Sequence, residues 1–170
     1  QNRDIQVIGI PKTIDNDLPL TDHTPGFGSA ARYLYHTMHE IIQDSEIYPV
    51  KNVVIVEVMG RDSGWLTLAA AMPRFLQGGA PQIVAIPEVP FDEYGFIERL
   101  RELLFGEHSQ VRTVVCAISE GIRDKSGNYV GMETKSGKTD TFGHAYLSGV
   151  GKYLEGLVSQ KLGCKVRSIE

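Results

Sequence analysis

Cysteine is scarce in this chain. Cys116 and Cys164 are its only two, and they lie far apart. That spacing excludes a disulfide framework and a cysteine metal cluster, and it fits a reducing compartment. No apolar run approaches the roughly 18 residues of a membrane span, and no signal-peptide pattern opens the sequence. No membrane partner is therefore expected, and the expected location is cytoplasmic. Positive charge is not in excess: 17 Lys and Arg stand against 21 Asp and Glu, a net charge of −4. Nucleic acid is accordingly not an expected partner, although a local basic pocket is compatible with that balance. There is one tryptophan, Trp65, and it and the Tyr33/Tyr35 pair read as packing residues because no basic stripe accompanies them. Neither a Walker A sequence nor a dinucleotide-type glycine fingerprint is present.

What the chain does have is 42% hydrophobic residues in 170, enough for one domain to bury a core without staples. Apolar runs at 5–10, 53–58, 83–86, 111–118 and 166–169 read as strands. Between them, apolar residues at helical spacing predict helices over 27–43, 65–75, about 96–104 and 146–158. Residues 11–26 and 123–141 read as polar loops, and Cys116 as a buried thiol within its strand. Strands alternating with helices predict a three-layer α/β fold around a parallel sheet. The chain opens on Gln1, with a strand a few residues later, and closes just after the basic run at 165–169. Both ends are expected to continue into a longer protein.

In a parallel sheet the carboxyl ends of the strands lie along one edge, where distant residues share a crevice. Four predicted strand ends carry polar groups: Lys12 to Asp17, Met59 to Asp62, Glu88, and Ser119-Glu120. Asp15 and Asp17 can serve as a proton acceptor and a Mg²⁺ ligand, or both can bond local backbone in an Asx-turn. Asn16 between them suits a pure turn role. Lys12 is a mobile charge suited to phosphate, or a solvated loop lysine. Gly60 permits a tight turn, and Arg61 can fork onto a phosphoryl group or pair with Asp62 or Glu57. Glu88 can accept sugar hydroxyls or cap the turn into residues 91–93. The segment 24–30 reads as helix capping, and His23 and His144 as turn or cap residues.

Gly9-Ile10-Pro11-Lys12-Thr13-Ile14-Asp15-Asn16-Asp17 resembles the signature of the 6-phosphofructokinases. So do Thr21-Asp22 with Gly26-Phe27 and Ala30, Val56 to Arg61 with Gly64-Trp65, and Pro87-Glu88. Ser119-Glu120-Gly121 and Lys165-Val166-Arg167 extend the match over nearly the whole chain. The resemblance implies a Rossmann-like phosphofructokinase fold, incomplete here. Residues 1–26 would end the donor-binding region and hold the catalytic loop. Residues 27–170 would mainly form the part that binds fructose 6-phosphate.

It also implies transfer of a phosphoryl group to the 1-hydroxyl of fructose 6-phosphate with Mg²⁺, giving fructose 1,6-bisphosphate, a step of glycolysis. Asp15 resembles the base, Asp17 its partner near the metal, and Thr13 a ligand of the transferred phosphoryl group. Met59, Gly60 and Arg61 resemble substrate and transition-state contacts, Glu88 a sugar-hydroxyl acceptor, and Arg167 a 6-phosphate ligand. Lys12 stands where members using ATP commonly have glycine, so the expected donor is pyrophosphate, with ATP the alternative. A non-catalytic sugar-phosphate-binding module is the other alternative. Many members have arginine where this chain has Asn52, beside Lys51; either Lys51 substitutes or that contact between subunits is weaker. The resemblance implies a homo-oligomer, dimer or tetramer. The glycine-rich donor segment and a His/Arg stretch would lie outside these 170 residues, so the isolated chain is expected to have little activity.

Overall fold

The computed structural model describes residues 4–131 and 149–170. Four parallel strands form one sheet in the order β2-β3-β1-β4. They are β1 (Asn52–Val58), β2 (Ile83–Ala85), β3 (Thr113–Ser119) and β4 (Lys165–Ile169). The helices are α1 (Phe27–Glu46), α2 (Trp65–Ala70), α3 (Met72–Gln77), α4 (Glu93–Phe105) and α5 (Val150–Leu162).

The strand sequences NVVIVEV and TVVCAIS are apolar almost throughout because both faces of the sheet are covered. Side-chain alternation divides them. Val54, Val56, Val58, Val115 and Ala117 face α1 and α2, joined by Phe27, Met38, Leu66 and Ala70. Val53, Ile55, Val114, Cys116 and Ile118 face α4 and α5, joined by Phe96, Leu100, Leu104, Leu154 and Val158. The faces follow from chain direction. From β1 the chain moves outward past β3 to β2, then returns to β3 and crosses to β4 on the far side of β1. The two directions of travel need helices on opposite faces if every crossover is right-handed. Helices α2 and α3 serve the outward move, and α4 and α5 the return.

Several sequence expectations are corrected. Residues 5–10 are not a strand: Ile5, Val7, Ile8 and Ile10 are all more than three-quarters exposed. An apolar run becomes a strand only by pairing, and no described strand lies beside this one. The helix expected over 65–75 is two helices meeting at Ala71. Pro73 lacks the N–H needed to continue the first helix and suits the opening turn of the second. The final helix starts at Val150, and Tyr146 and Leu147 lie outside the described residues. Within the loop expected over 123–141, Arg123 and Tyr129 form an antiparallel bridge and Val130 is buried; residues 132–141 lie outside the described residues, as does His144. Tyr33 is a surface residue rather than a packing one, and Trp65 is half-exposed.

Cys116 is buried as expected, and burial pushes its thiol far above the ordinary range. Among the described residues, no helix is long and apolar enough to cross a membrane.

Candidate active site

The parallel register sets Val58 beside Ser119, so the residues that leave β1 and β3 emerge side by side. The chain turns sharply after β1. The N–H of Ser63 donates to the Gly60 carbonyl at 2.9 Å, and both Gly60 (φ 145) and Arg61 (φ 50) have positive φ. For a non-glycine residue such as Arg61 that conformation is uncommon and needs external support. Glu120, the first residue past β3, supplies some of it. Its Oε1 accepts the N–H groups of Gly60 and Arg61, each at 3.1 Å. Gly121 supplies a close approach, since a Cβ there would sit 1.6 Å from the Arg61 carbonyl oxygen.

Asp62, next in the turn, accepts from Arg123 Nη2 at 2.7 Å and from the Tyr129 hydroxyl at 2.9 Å. Glu88, just past β2, accepts the N–H of Gly64 at 2.8 Å and so caps the start of α2 from a distant loop. The reading of Glu88 as a cap for the turn into 91–93 is corrected. That cap is Asp92, whose carboxylate accepts the Gly95 N–H at 3.3 Å.

The acidic loop lies against this turn. Ser63 Oγ donates to the Asp15 carbonyl at 2.9 Å. Asn16, buried and with φ 59, does the local turn work. Its Oδ1 accepts the Thr24 N–H at 2.9 Å, and its Nδ2 donates to the Asp22 carbonyl at 3.2 Å. Ile14 packs into the α1 face of the core, and a Cβ on Gly26 would sit 2.9 Å from its Cγ2. Thr13 Oγ1 accepts the Asp15 N–H at 3.1 Å. Because Asn16 takes the turn role, the Asp15 and Asp17 carboxylates accept no backbone N–H among the described residues.

Asp15 is half-buried and its pKa is raised. Burial is the largest cause; the charges of Asp17 and Glu120 act in the same direction, while Arg61 and Lys12 oppose them. These groups therefore share one electrostatic environment, with Lys12 exposed at its edge. A carboxylate held above its ordinary range beside two cations suits proton abstraction next to an anion. An open cleft of about 590 Å³ continues from Asp17 to His23, Phe27 and Trp65. Phe27 meets His23 face to face and Trp65 edge-on.

Asp15, Asp17, Lys12, Thr13, Gly60 and Arg61 are brought together, and Met59 stands half-exposed at the rim. Glu88 borders the same turn through Gly64, but the carboxylates whose charge acts on Asp15 are Asp17 and Glu120. Arg167 is not brought to this crevice. It sits in mid-strand opposite Val54 and pairs with Asp44, near the end of α1, at 3.3 Å. Lys51 Nζ donates to the Val111 carbonyl at the opposite edge of the sheet.

Arg61 acts on Asp62 through its charge, while Asp62 and Glu57 also take other partners. Asp62 takes Arg123, and Glu57 accepts the N–H groups of Gly149 and Gly151 at the start of α5, at 2.8 and 2.7 Å. The sequence marked Glu120 as a strand-end residue but gave it no role, and it left Arg123 and Tyr129 in a loop. Register was the missing signal: once β1 and β3 are aligned, residues 59–63 and 120–123 must be neighbours.

A protein-family model described as Phosphofructokinase matches residues 1–169. The pyrophosphate--fructose 6-phosphate 1-phosphotransferase of Xanthomonas campestris pv. campestris (strain B100) is 42% identical over 164 residues, covering 95% of this chain and 38% of that protein. The ATP-dependent 6-phosphofructokinase of Corynebacterium efficiens is 39% identical over 165 residues, covering 96% of this chain and 44% of that protein. The crystal structure of a pyrophosphate-dependent phosphofructokinase from Marinobacter aquaeolei superposes with a TM-score of 0.72 at 31% identity, covering 94% of this chain and 35% of that one. The chain thus spans less than half the length of these relatives.

Proposed function

The chain belongs to the phosphofructokinase family, and from that premise we propose that the whole protein transfers a phosphoryl group from pyrophosphate to the 1-hydroxyl of fructose 6-phosphate. One observation carries the reading: a half-buried carboxylate with a raised pKa, Asp15, shares the crevice with Arg61. Asp15 takes the hydroxyl proton as the new P–O bond forms. Thr13, Arg61 and Lys12 hold the oxygens of the transferred group in line, as phosphoryl transfer requires. Met59 and Gly60 border the sugar. Glu120 presents its second oxygen to a sugar hydroxyl, and Glu88 can do the same from the rim. Arg167 takes the 6-phosphate only across a subunit boundary, in a dimer or tetramer. In this reading 1–26 complete a donor-binding region, and 27–170 mainly bind the sugar phosphate.

The donor set also fits a divalent ion. No group of three His, Cys, Asp or Glu side chains suited to a metal occurs among the described residues. Mg²⁺ needs no such cage, because it takes one or two carboxylates and fills its shell with water and phosphate oxygens. Asp17, exposed beside Asp15, would hold it, and it would offset charge on the phosphoryl oxygens.

A second donor is favoured by a specific observation, the 39% identity to an ATP-dependent relative. Assaying the full-length enzyme with fructose 6-phosphate and either donor separates the two. Pyrophosphate is expected to be faster by at least about tenfold, the scale of one well-placed charged contact. Faster transfer from ATP reassigns the donor, and no bisphosphate from either overturns the function.

A further inference from the structure

Arg123 and Tyr129 lie in a short turn that the chemistry above does not use. Their contacts converge on Asp62, the residue after Arg61. Arg123 Nη2 reaches Asp62 Oδ1 at 2.7 Å, and the Tyr129 hydroxyl reaches the same oxygen at 2.9 Å. The Arg123 guanidinium lies over the Tyr129 ring, 3.8 Å from its centroid. Its Nη1 also donates to the Gly127 carbonyl at 3.1 Å. The turn is itself ordered: Asp124 Oδ1 accepts the N–H groups of Ser126 and Asn128 at 2.8 and 2.9 Å.

An isolated solvent-exposed ion pair contributes little, because two long side chains must be ordered for it. Here the arginine is already fixed by a carbonyl and an aromatic face, so holding Asp62 adds little ordering cost. Asp62 in turn is covalently next to the residue whose backbone is in the unfavourable left-handed region. Glu120 grips that residue from its N–H side. On its other side the turn is held at Asp62, by Arg123 and Tyr129.

We propose that Arg123 and Tyr129 are positioning residues for phosphoryl transfer: by holding Asp62 they keep Arg61 in the strained turn that sets its guanidinium beside Asp15. The inference rests on the functional reading above.

The test uses the full-length enzyme. Arg123→Ala is expected to lower kcat about tenfold, the effect of one charge-assisted hydrogen bond. In an Arg61→Lys background the same change should do nothing further, because the residue it positions has gone. A loss of equal size in both backgrounds overturns the proposal. Tyr129→Phe removes one hydroxyl and leaves the ring, so it is the variant to use if Arg123→Ala does not fold. It should lower kcat about threefold, less than a whole hydrogen bond's contribution, with the same dependence on Arg61.

A second readout does not depend on activity. Amide hydrogen exchange in the peptide over 59–64 should quicken in both variants, while exchange in β3 stays as in the parent. Unchanged exchange over 59–64 overturns the clamp. If the parent enzyme forms no bisphosphate, the functional reading fails by itself, and the exchange measurement still decides whether Arg123 and Tyr129 hold the turn.

Discussion

The turn after β1 and the acidic loop face each other across one crevice, yet they are fixed by different means. The turn is gripped from several sides by residues far away in sequence: Glu120 and Gly121 past β3, Arg123 and Tyr129 beyond them, and Glu88 past β2. Among the described residues the acidic loop is held mainly by its own neighbours, through Asn16 to Asp22 and Thr24, with one long-range hydrogen bond from Ser63. The flank that leads into it, at 5–10, is exposed. The difference fits the two tasks proposed for them. A group that stabilises charge works best when its position is fixed before the reaction. A base needs the right proton affinity and short reach, and local hooks plus burial supply both.

This contrast can be broken at its chemical end first. Asp15→Asn in the full-length enzyme should reduce turnover by roughly 10²–10⁴-fold, the usual scale of general-base catalysis. Steady-state kinetics with an intact fold checks this, and a loss below about threefold would remove Asp15 from the role. Next comes the packing of the turn. Gly121→Ala drives a methyl group into the Arg61 carbonyl, so it should destabilise by about 1–3 kcal/mol as overpacking does. It should also depress kcat, unlike an equally destabilising change in the α5 core such as Leu154→Val.

Local hooking is tested by Asn16→Ala. It strips two hydrogen bonds from a buried site, and an expected loss of about 1–2 kcal/mol follows from leaving the Thr24 N–H and Asp22 carbonyl unmet. Thermal unfolding measures it, and exchange over 59–64 should not respond.

The smallest effect is in pH dependence. The Asp15 pKa is raised in the folded protein, so the stability it contributes is fully present below its ordinary value of 3.8 and is lost as pH rises through the raised value. Catalysis needs the ionised form, so the acid limb of kcat/KM should lie above the ordinary aspartate range. Glu120→Gln removes a charge that raises this pKa, and the limb should move to lower pH. Arg61→Lys preserves a cation and should shift it less than Arg61→Ala, which moves it to higher pH.

The sequence alone carried most of this architecture. Four of the five strand expectations and the α/β layering followed from apolar runs alternating with helical periodicity. The fifth, at 5–10, fails because its letters carry strand propensity but not a partner. The break between α2 and α3 was visible in Pro73, and the expectation of one helix over 65–75 passed over it. At the site, the local motif gave Lys12 to Asp17 and Met59 to Arg61, because their neighbours are neighbours in sequence. Glu120, Arg123 and Tyr129 needed the β1–β3 register, a long-range fact that no local pattern encodes. Arg167 shows the reverse case: its letters fit a motif, while its strand position pairs it with Asp44, away from the crevice of this chain.

Trp65, the single indole of this chain, stands half-exposed at the mouth of the cleft and one residue after the backbone that Glu88 caps. It is therefore an intrinsic optical probe. Occupation of the cleft by a sugar phosphate should change the water around the ring, and its emission maximum with it. A titration followed by that colour shift would read ligand binding without any turnover.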